Sequence, residues 1–180
     1  VPPGLSMDDV RALQTMLVSG FHFCTTFGDP IFIIRSGQSN QSPLLDMLGE
    51  EKVELWLTYL SECAWQFCEA ATRRRGYFVK QITLQDFASA SLSQDRRFFR
   101  VLGRSSKMNE WLRPQFLGRA IFFNTPSWMS LAFAIASKLM SQKTLSKIWV
   151  HRQAVGQPGA NMCPYAQQLL NPDRLPTFLG

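Results

Sequence analysis

Two short apolar runs, Ile31-Phe32-Ile33-Ile34 and Phe116 to Phe123, constrain this chain more than any other feature. A strand that is apolar on both faces must be covered on both sides, and such sheets are built from parallel strands joined by helical crossovers. The segments between the runs supply those crossovers. Val53, Trp56, Leu57, Leu60, Ala64, Phe67, Cys68 and Ala71 recur at three- and four-residue spacing and predict one long helix. Its acidic start (Glu50, Glu51, Glu54) and basic end (Arg73 to Arg75) both suit a helix dipole. Upstream, Ser6-Met7-Asp8-Asp9 has the spacing of a capping box and predicts a short helix from Asp8 to Val18, stopped by Gly20. Phe21 to Phe27 and Ile31 to Ile34 read as strands around Gly28-Asp29-Pro30, followed by a loop from Ser36 to Ser42. Tyr77 to Leu84 alternates as a strand, Gln94 to Leu112 as an amphipathic helix, Lys143 to Val150 as a short strand and Met162 to Leu170 as a last helix. The order predicts an α/β fold: a mainly parallel mixed sheet of about five strands with helices packed on it. At 180 residues, one domain with a sizeable core is expected.

Charge is unevenly spread. Residues 1–72 hold 3 basic and 9 acidic groups, residues 73–119 hold 11 and 3, and residues 120–180 hold 5 and 1, giving −6, +8 and +4 within a net of +6. Much of the excess lies on the Gln94 to Leu112 helix, where Arg96, Arg97, Arg100, Arg104 and Lys107 predict a cationic outer face opposite Phe98, Val101 and Leu102. Such a surface suits nucleic-acid phosphates, an anionic membrane, or water alone. No RNA- or DNA-reading motif accompanies it, so nucleic acid is not an expected partner.

The oddest element is the helix from Ser127 to Met140, opened by Thr125-Pro126 and free of charge between Ser127 and Ser137. Trp128, Met129, Leu131, Phe133, Ile135 and Leu139 would together gain roughly 9 to 18 kcal/mol on full burial, as an upper bound. Either the helix is a core element or it rests against a non-aqueous phase. It is too short for a membrane span, and no other apolar run reaches about 18 residues, so a soluble chain is expected. The start at Val1-Pro2-Pro3-Gly4, without Met or a signal-peptide core, reads as a piece of a longer polypeptide.

Motifs for catalysis are missing: there is no G-x-S-x-G, H-E-x-x-H, P-loop or G-x-G-x-x-G. His22 and His151 read as structural, since a nucleophile such as Ser39 or Cys63 lacks a recognisable context, and no enzyme is expected. Cys24, Cys63, Cys68 and Cys163 form no CxxC pair, and with two histidines they predict no metal site and no cofactor. Cys63 and Cys68 point about 140° apart on one helix, which suits core packing. Polar residues within the apolar strands are more telling, because a buried polar side chain needs a partner. Gln81 and Thr83 share a strand face, Gln115 precedes the Phe116 strand, and Thr144 and Lys147 follow the uncharged helix. Brought to the mouth of an apolar cavity they would suit a phosphate headgroup; left apart, Lys147 is a surface lysine and Thr83 a β-forming residue.

In order and spacing these segments resemble the lipid-binding lobe of the CRAL-TRIO family, over roughly residues 20–180. Gly28-Asp29-Pro30-Ile31 stands for its G-R-P-V, and Ile82-Thr83-Leu84-Gln85-Asp86 for its Asp-ended strand. Arg113-Pro114-Gln115-Phe116-Leu117-Gly118-Arg119 stands for Y-P-E-R-hydrophobic-G, and Asn124-Thr125-Pro126 for N-x-P. Thr144-Leu145-Ser146-Lys147-Ile148 stands for T-x-x-K-I, and Leu175-Pro176-Thr177-Phe178-Leu179-Gly180 for L-P-x-x-x-G. The resemblance implies a helical lead-in at residues 1–19, a lipid-binding domain at residues 20–180, and an apolar lipid cavity closed by a gating helix that carries Trp128, Met129, Leu131, Phe133 and Ile135. By the T-x-x-K match it also implies headgroup contacts from Thr144 and Lys147, with Gln81, Thr83 and Gln115 beside them. Gln115 replaces the family's Glu, keeping hydrogen bonding to an inositol hydroxyl without the charge, and Ser89 stands where a Gly is expected. The helical lobe that usually precedes the domain is absent from these residues.

Two functions fit. One is non-catalytic binding, and transfer between membranes, of a phospholipid or other hydrophobic ligand by a cytoplasmic protein held peripherally on anionic membranes. The other is a membrane-targeting or scaffolding domain of a larger parent protein, with a vestigial cavity.

Overall fold

Strand pairing follows the apolar runs. In the computed structural model, which describes residues 1–91, 95–137, 142–151, 169–170, 176 and 178, five strands form one sheet. They are β1 (Ser19–Cys24), β2 (Pro30–Arg35), β3 (Gln81–Asp86), β4 (Leu117–Phe123) and β5 (Ile148–Val150), in that spatial order. β1 pairs antiparallel to β2 across a tight turn, and β2 to β5 run parallel. The mixed, mainly parallel sheet expected from the sequence is therefore the observed one.

The helices are α1 (Met7–Met16), α2 (Gln41–Arg75), α3 (Arg96–Leu112), α4 (Met129–Ser137) and α5 (Gln142–Leu145). Ser6 caps α1 as the sequence predicts: its hydroxyl accepts from the Asp9 backbone N–H at 3.1 Å and its own N–H donates to the Asp9 carboxylate at 2.8 Å. Lys52 adds a 2.9 Å contact to Asp9, and these bonds hold that carboxyl at about 2, well below the usual carboxylate value. Leu5, Leu13 and Leu17 pack α1 onto Leu44, Leu45, Val53 and Trp56 of α2 and Val101 of α3, a core of their own.

Several boundaries differ from the sequence expectation. The Ser36 to Ser42 loop is a 3-10 turn (Ser36–Gln38) that leads directly into α2, and Gly49 (φ +75°) kinks α2 ahead of the acidic stretch. The strand expected from Tyr77 begins only at Gln81, because Tyr77 and Phe78 are exposed. Lys143 to Val150 is not one strand: Gln142–Leu145 is helical and only Ile148–Val150 pairs with β4. Phe67 is 52% exposed rather than in the core, its ring set edge-on to Phe21 at 5.0 Å. Cys68 is buried, and burial pushes its thiol up to about 12. The Met162 to Leu170 helix lies outside the described residues except for Leu169 and Leu170, as do residues 138–140 of the uncharged helix.

Parallel register sorts the strand residues onto two faces. Ile33, Leu84, Ile121 and Trp149 are aligned across one face, and Phe32, Thr83, Ala120 and Ile148 across the other. The first face is filled: Ile31, Ile33, Ile82, Leu84, Ile121 and Phe123 pack with Leu170, and Leu169 and Phe178 close over them. At the strands' C-terminal ends, buried Asp86 ties three strands together. Arg35 of β2 reaches its carboxylate at 3.4 Å, and Asn124 after β4 donates to it at 2.9 Å. Ser89, just beyond, sits at φ +64°, a left-handed backbone that explains why a Gly is the family's choice there.

Candidate functional site

The second face of the sheet is not filled. Between it and helices α2 and α3 lies a cavity of about 610 Å³. Phe32, Ile34, Gln81, Thr83 and Leu117 form its floor; Leu57, Leu60 and Ala64 of α2 and Leu102 of α3 supply an apolar wall. Gln115, Lys143 and Lys147 line it from the segments that precede β4 and β5. Its volume is within the range of about 300–1,000 Å³ common for small-ligand sites.

Of the five residues expected at a headgroup, four line this one cavity: Gln81, Thr83, Gln115 and Lys147. Alternation in β3 turns Gln81 and Thr83 inward, where the Gln81 amide donates to the Thr83 hydroxyl at 2.9 Å. Gln115 is exposed and takes φ +64° in a tight turn closed by the Phe116 N–H on the Arg113 carbonyl at 3.2 Å. Lys147 is half-buried and fixed by its backbone carbonyl, which accepts from Ala120 at 2.9 Å. Burial lowers the Lys147 pKa below the ordinary lysine value, and nearby Lys80 and Lys143 lower it further. An anion placed there would relieve both effects. Thr144 lies in α5, but its side chain is not among those described.

The expected gate residues sit elsewhere. Trp128, just before α4, and Met129 and Phe133 within it are half-buried, and Ser130 and Ala134 are exposed. None of these lines the cavity, and the side chains of Leu131 and Ile135 are not described. No described side chain of α4 is buried, although its sequence is apolar all round.

Part of the cavity wall escaped the sequence reading. Ser61 of α2 and Ser105 and Asn109 of α3 line it, with Asn109 donating to Ser61 at 3.0 Å. Arg113, only 7% exposed, donates to Asn109 at 2.7 Å and to Glu62 at 2.5 Å. That contact, with a bond from Gln66, holds the Glu62 carboxyl below its ordinary range. Val101, Ser105 and Asn109 are spaced four apart, so the polar stripe continued an apolar one on the same helix face and could have been found.

The cationic outer face expected of α3 is corrected. Arg97 pairs with Asp46 and Asp95, Arg100 with Glu50, and Arg104 with Glu50 and Glu54. The acidic start of α2 and the basic stripe of α3 thus meet as a ladder between helices, with Arg96 and Lys107 outside it. Glu50 is held below the ordinary carboxyl range by Arg100 and Arg104. Ser39, weighed as a nucleophile, instead accepts from the Val18 N–H and donates to the Arg35 carbonyl, both at 3.1 Å.

Comparison with known proteins bears on the same residues. The sequence model of the CRAL/TRIO domain matches residues 16–180. A curated relative, "Protein real-time" of Anopheles gambiae, is 25% identical over 167 residues, which cover 89% of this chain and 23% of that protein. The chain therefore spans under a quarter of that relative's length. Among solved structures, the crystal structure of Sfh5 superposes with a TM-score of 0.61 at 14% identity, over 88% of this chain and 61% of that one. That likeness is one of fold. Among the described residues no helix is long and apolar enough to cross a membrane.

Proposed function

The chain belongs to the CRAL/TRIO domain family, and from that membership we propose that it binds a phospholipid or similar hydrophobic ligand in the cavity under α2 and α3 and carries it between membranes. The observation that carries this reading is the cavity's composition. Apolar residues of the floor and wall (Phe32, Ile34, Leu57 and Leu60) adjoin polar ones (Gln81, Thr83, Ser61 and Asn109) and a rim with Lys147, a half-buried cation paired with no carboxylate among the described residues. Acyl chains suit the former, and a phosphate suits the latter. Gln81, Thr83, Gln115 and Thr144 complete the proposed headgroup site. The ligand is bound and released unchanged, with no cofactor, by a cytoplasmic protein held peripherally on membranes. The uncharged segment formed by Trp128 and helix α4, with Met129, Leu131, Phe133 and Ile135, acts as the gate, its apolar surface meeting lipid during exchange. A scaffold that binds through the basic face of α3 is less well supported, since the α2 carboxylates occupy that face.

Lys147→Ala should weaken extraction of phosphatidylinositol from vesicles about tenfold, as loss of one charge-assisted bond implies, while leaving the fold unchanged by circular dichroism. Unaltered extraction would remove Lys147 from the headgroup site. Phe133→Asp should slow uptake more than it lowers stability, and an unchanged uptake rate would count against α4 as the gate.

A further inference from the structure

We infer that the edge of the sheet formed by the N-terminal ends of its parallel strands is the face that docks on an anionic bilayer. Because β2 to β5 run parallel, the segments entering them share one edge. These are the turn with Phe27 before β2, Tyr77 to Lys80 before β3, the Gln115 turn before β4, and Lys143 to Lys147 before β5. The last turn of α3 and the end of α2 arrive at the same edge. Large apolar side chains project from it into solvent: Trp111 is 82% exposed, Phe27 62% and Tyr77 52%, with Phe78 and Leu112 close to half. Phe27, Tyr77 and Phe78 are held in place. Arg75 donates to the Phe27 carbonyl and to the Tyr77 hydroxyl, and Tyr77 donates to that same carbonyl at 3.1 Å. Trp65 bridges the rings of Phe78 and Phe116.

Cations surround these rings. Arg74, Arg75, Lys80, Lys143 and Lys147 are paired with no carboxylate among the described residues, unlike Arg97, Arg100 and Arg104 of α3. Of the acids at this edge, Asp29 is engaged by the Lys80 backbone N–H and by Thr25, Glu62 by Arg113 and Glu69 by Arg73, and Glu110 lines the cavity. Exposed aromatic rings among unpaired lysines and arginines match the composition of a membrane interface. Protein interfaces are instead depleted in lysine. The same edge carries Lys147 and Gln115 of the cavity rim, so docking here sets the cavity mouth against the lipid headgroups. That consequence rests on the lipid-binding reading; the docking face itself does not.

The test is co-sedimentation with phosphatidylcholine vesicles with and without phosphatidylserine, alongside mass spectrometry of bound lipid. The wild-type chain should partition onto the phosphatidylserine vesicles and much less onto neutral ones. Phe27→Asp with Trp111→Asp should weaken that partition at least tenfold, and Arg74→Ala about fivefold. Neither change touches the cavity, so lipid loading and circular dichroism should be unaltered. Wild-type partition by the double variant, or equal partition onto neutral vesicles, would overturn the inference. Indifference of the wild-type chain to both vesicle types would also overturn it and assign the edge to a protein surface. Vesicle binding by a chain that never holds lipid would sink the cavity reading and leave the docking face standing.

Discussion

The two faces of the central sheet are built from alternate residues of the same strands, yet one is packed solid and the other is left open. In β2, Ile33 points into the filled core and Ile34 lines the cavity; in β3, Ile82 and Leu84 are core while Gln81 and Thr83 are floor. The difference is not in strand propensity, which the two sets share. It lies in what covers them. Leu169, Leu170 and Phe178 close directly onto one face, whereas α2 and α3 stand off from the other and are tied to each other by the Glu50, Glu54 and Arg104 ladder. A face whose cover is fastened to itself can stay open. Buried polar side chains are tolerated there because they meet each other and the cavity rather than hydrocarbon.

The comparison breaks most sharply in the filled face. Phe123→Ala should cost about 3–5 kcal/mol in urea unfolding, since a fully buried ring leaves a void that the surrounding strands cannot close. Below about 1 kcal/mol, Phe123 would not be part of a close-packed core. A finer contrast uses neighbours of identical chemistry. Ile33→Ala should cost about 2–4 kcal/mol and Ile34→Ala about 1–2, because the second already borders open space and adds no new cavity term. Equal losses would mean that both faces are equally packed. The smallest effect is expected of Thr83→Val. It removes the acceptor of the Gln81 amide, and with the amide on the wall of a cavity open to water the cost should stay near 1 kcal/mol, against up to about 3 in a dry core. A loss near the upper figure would make the floor as dry as the opposite face.

Much of this was legible in the sequence, for physical reasons that separate the successes from the misses. The continuous runs at Ile31 and Phe116 mark strands covered on both sides, hence a parallel sheet, and the alternation of Gln81, Ile82, Thr83 and Leu84 sorts that strand's residues between two unlike faces. Local chemistry set the α1 cap. What the sequence hid were pairings distant along the chain. Glu50 and Glu54 read as dipole partners and Arg100 and Arg104 as a free surface, since nothing in either segment shows that the two helices lie side by side. Lys143 to Val150 looked like one strand because Thr144, Ile148 and Val150 favour it, whereas only three residues find a partner in β4. Gln81, Thr83, Gln115, Thr144 and Lys147 are expected from the sequence at one cavity mouth, and the parallel strands bring four of them, all but Thr144, to the lining of one cavity. Ser105, Asn109 and Arg113 were missed because an amphipathic helix was expected to turn apolar groups inward along its whole length.

The central claim is that the open face holds a lipid. Mass spectrometry of the purified chain, first under native conditions and then after organic extraction, tests it most directly. One lipid molecule per chain, released on unfolding, is the expected result, and its class would name the headgroup that Lys147 meets. A chain that carries no lipid, and takes none up after incubation with mixed phospholipid vesicles, would contradict the account.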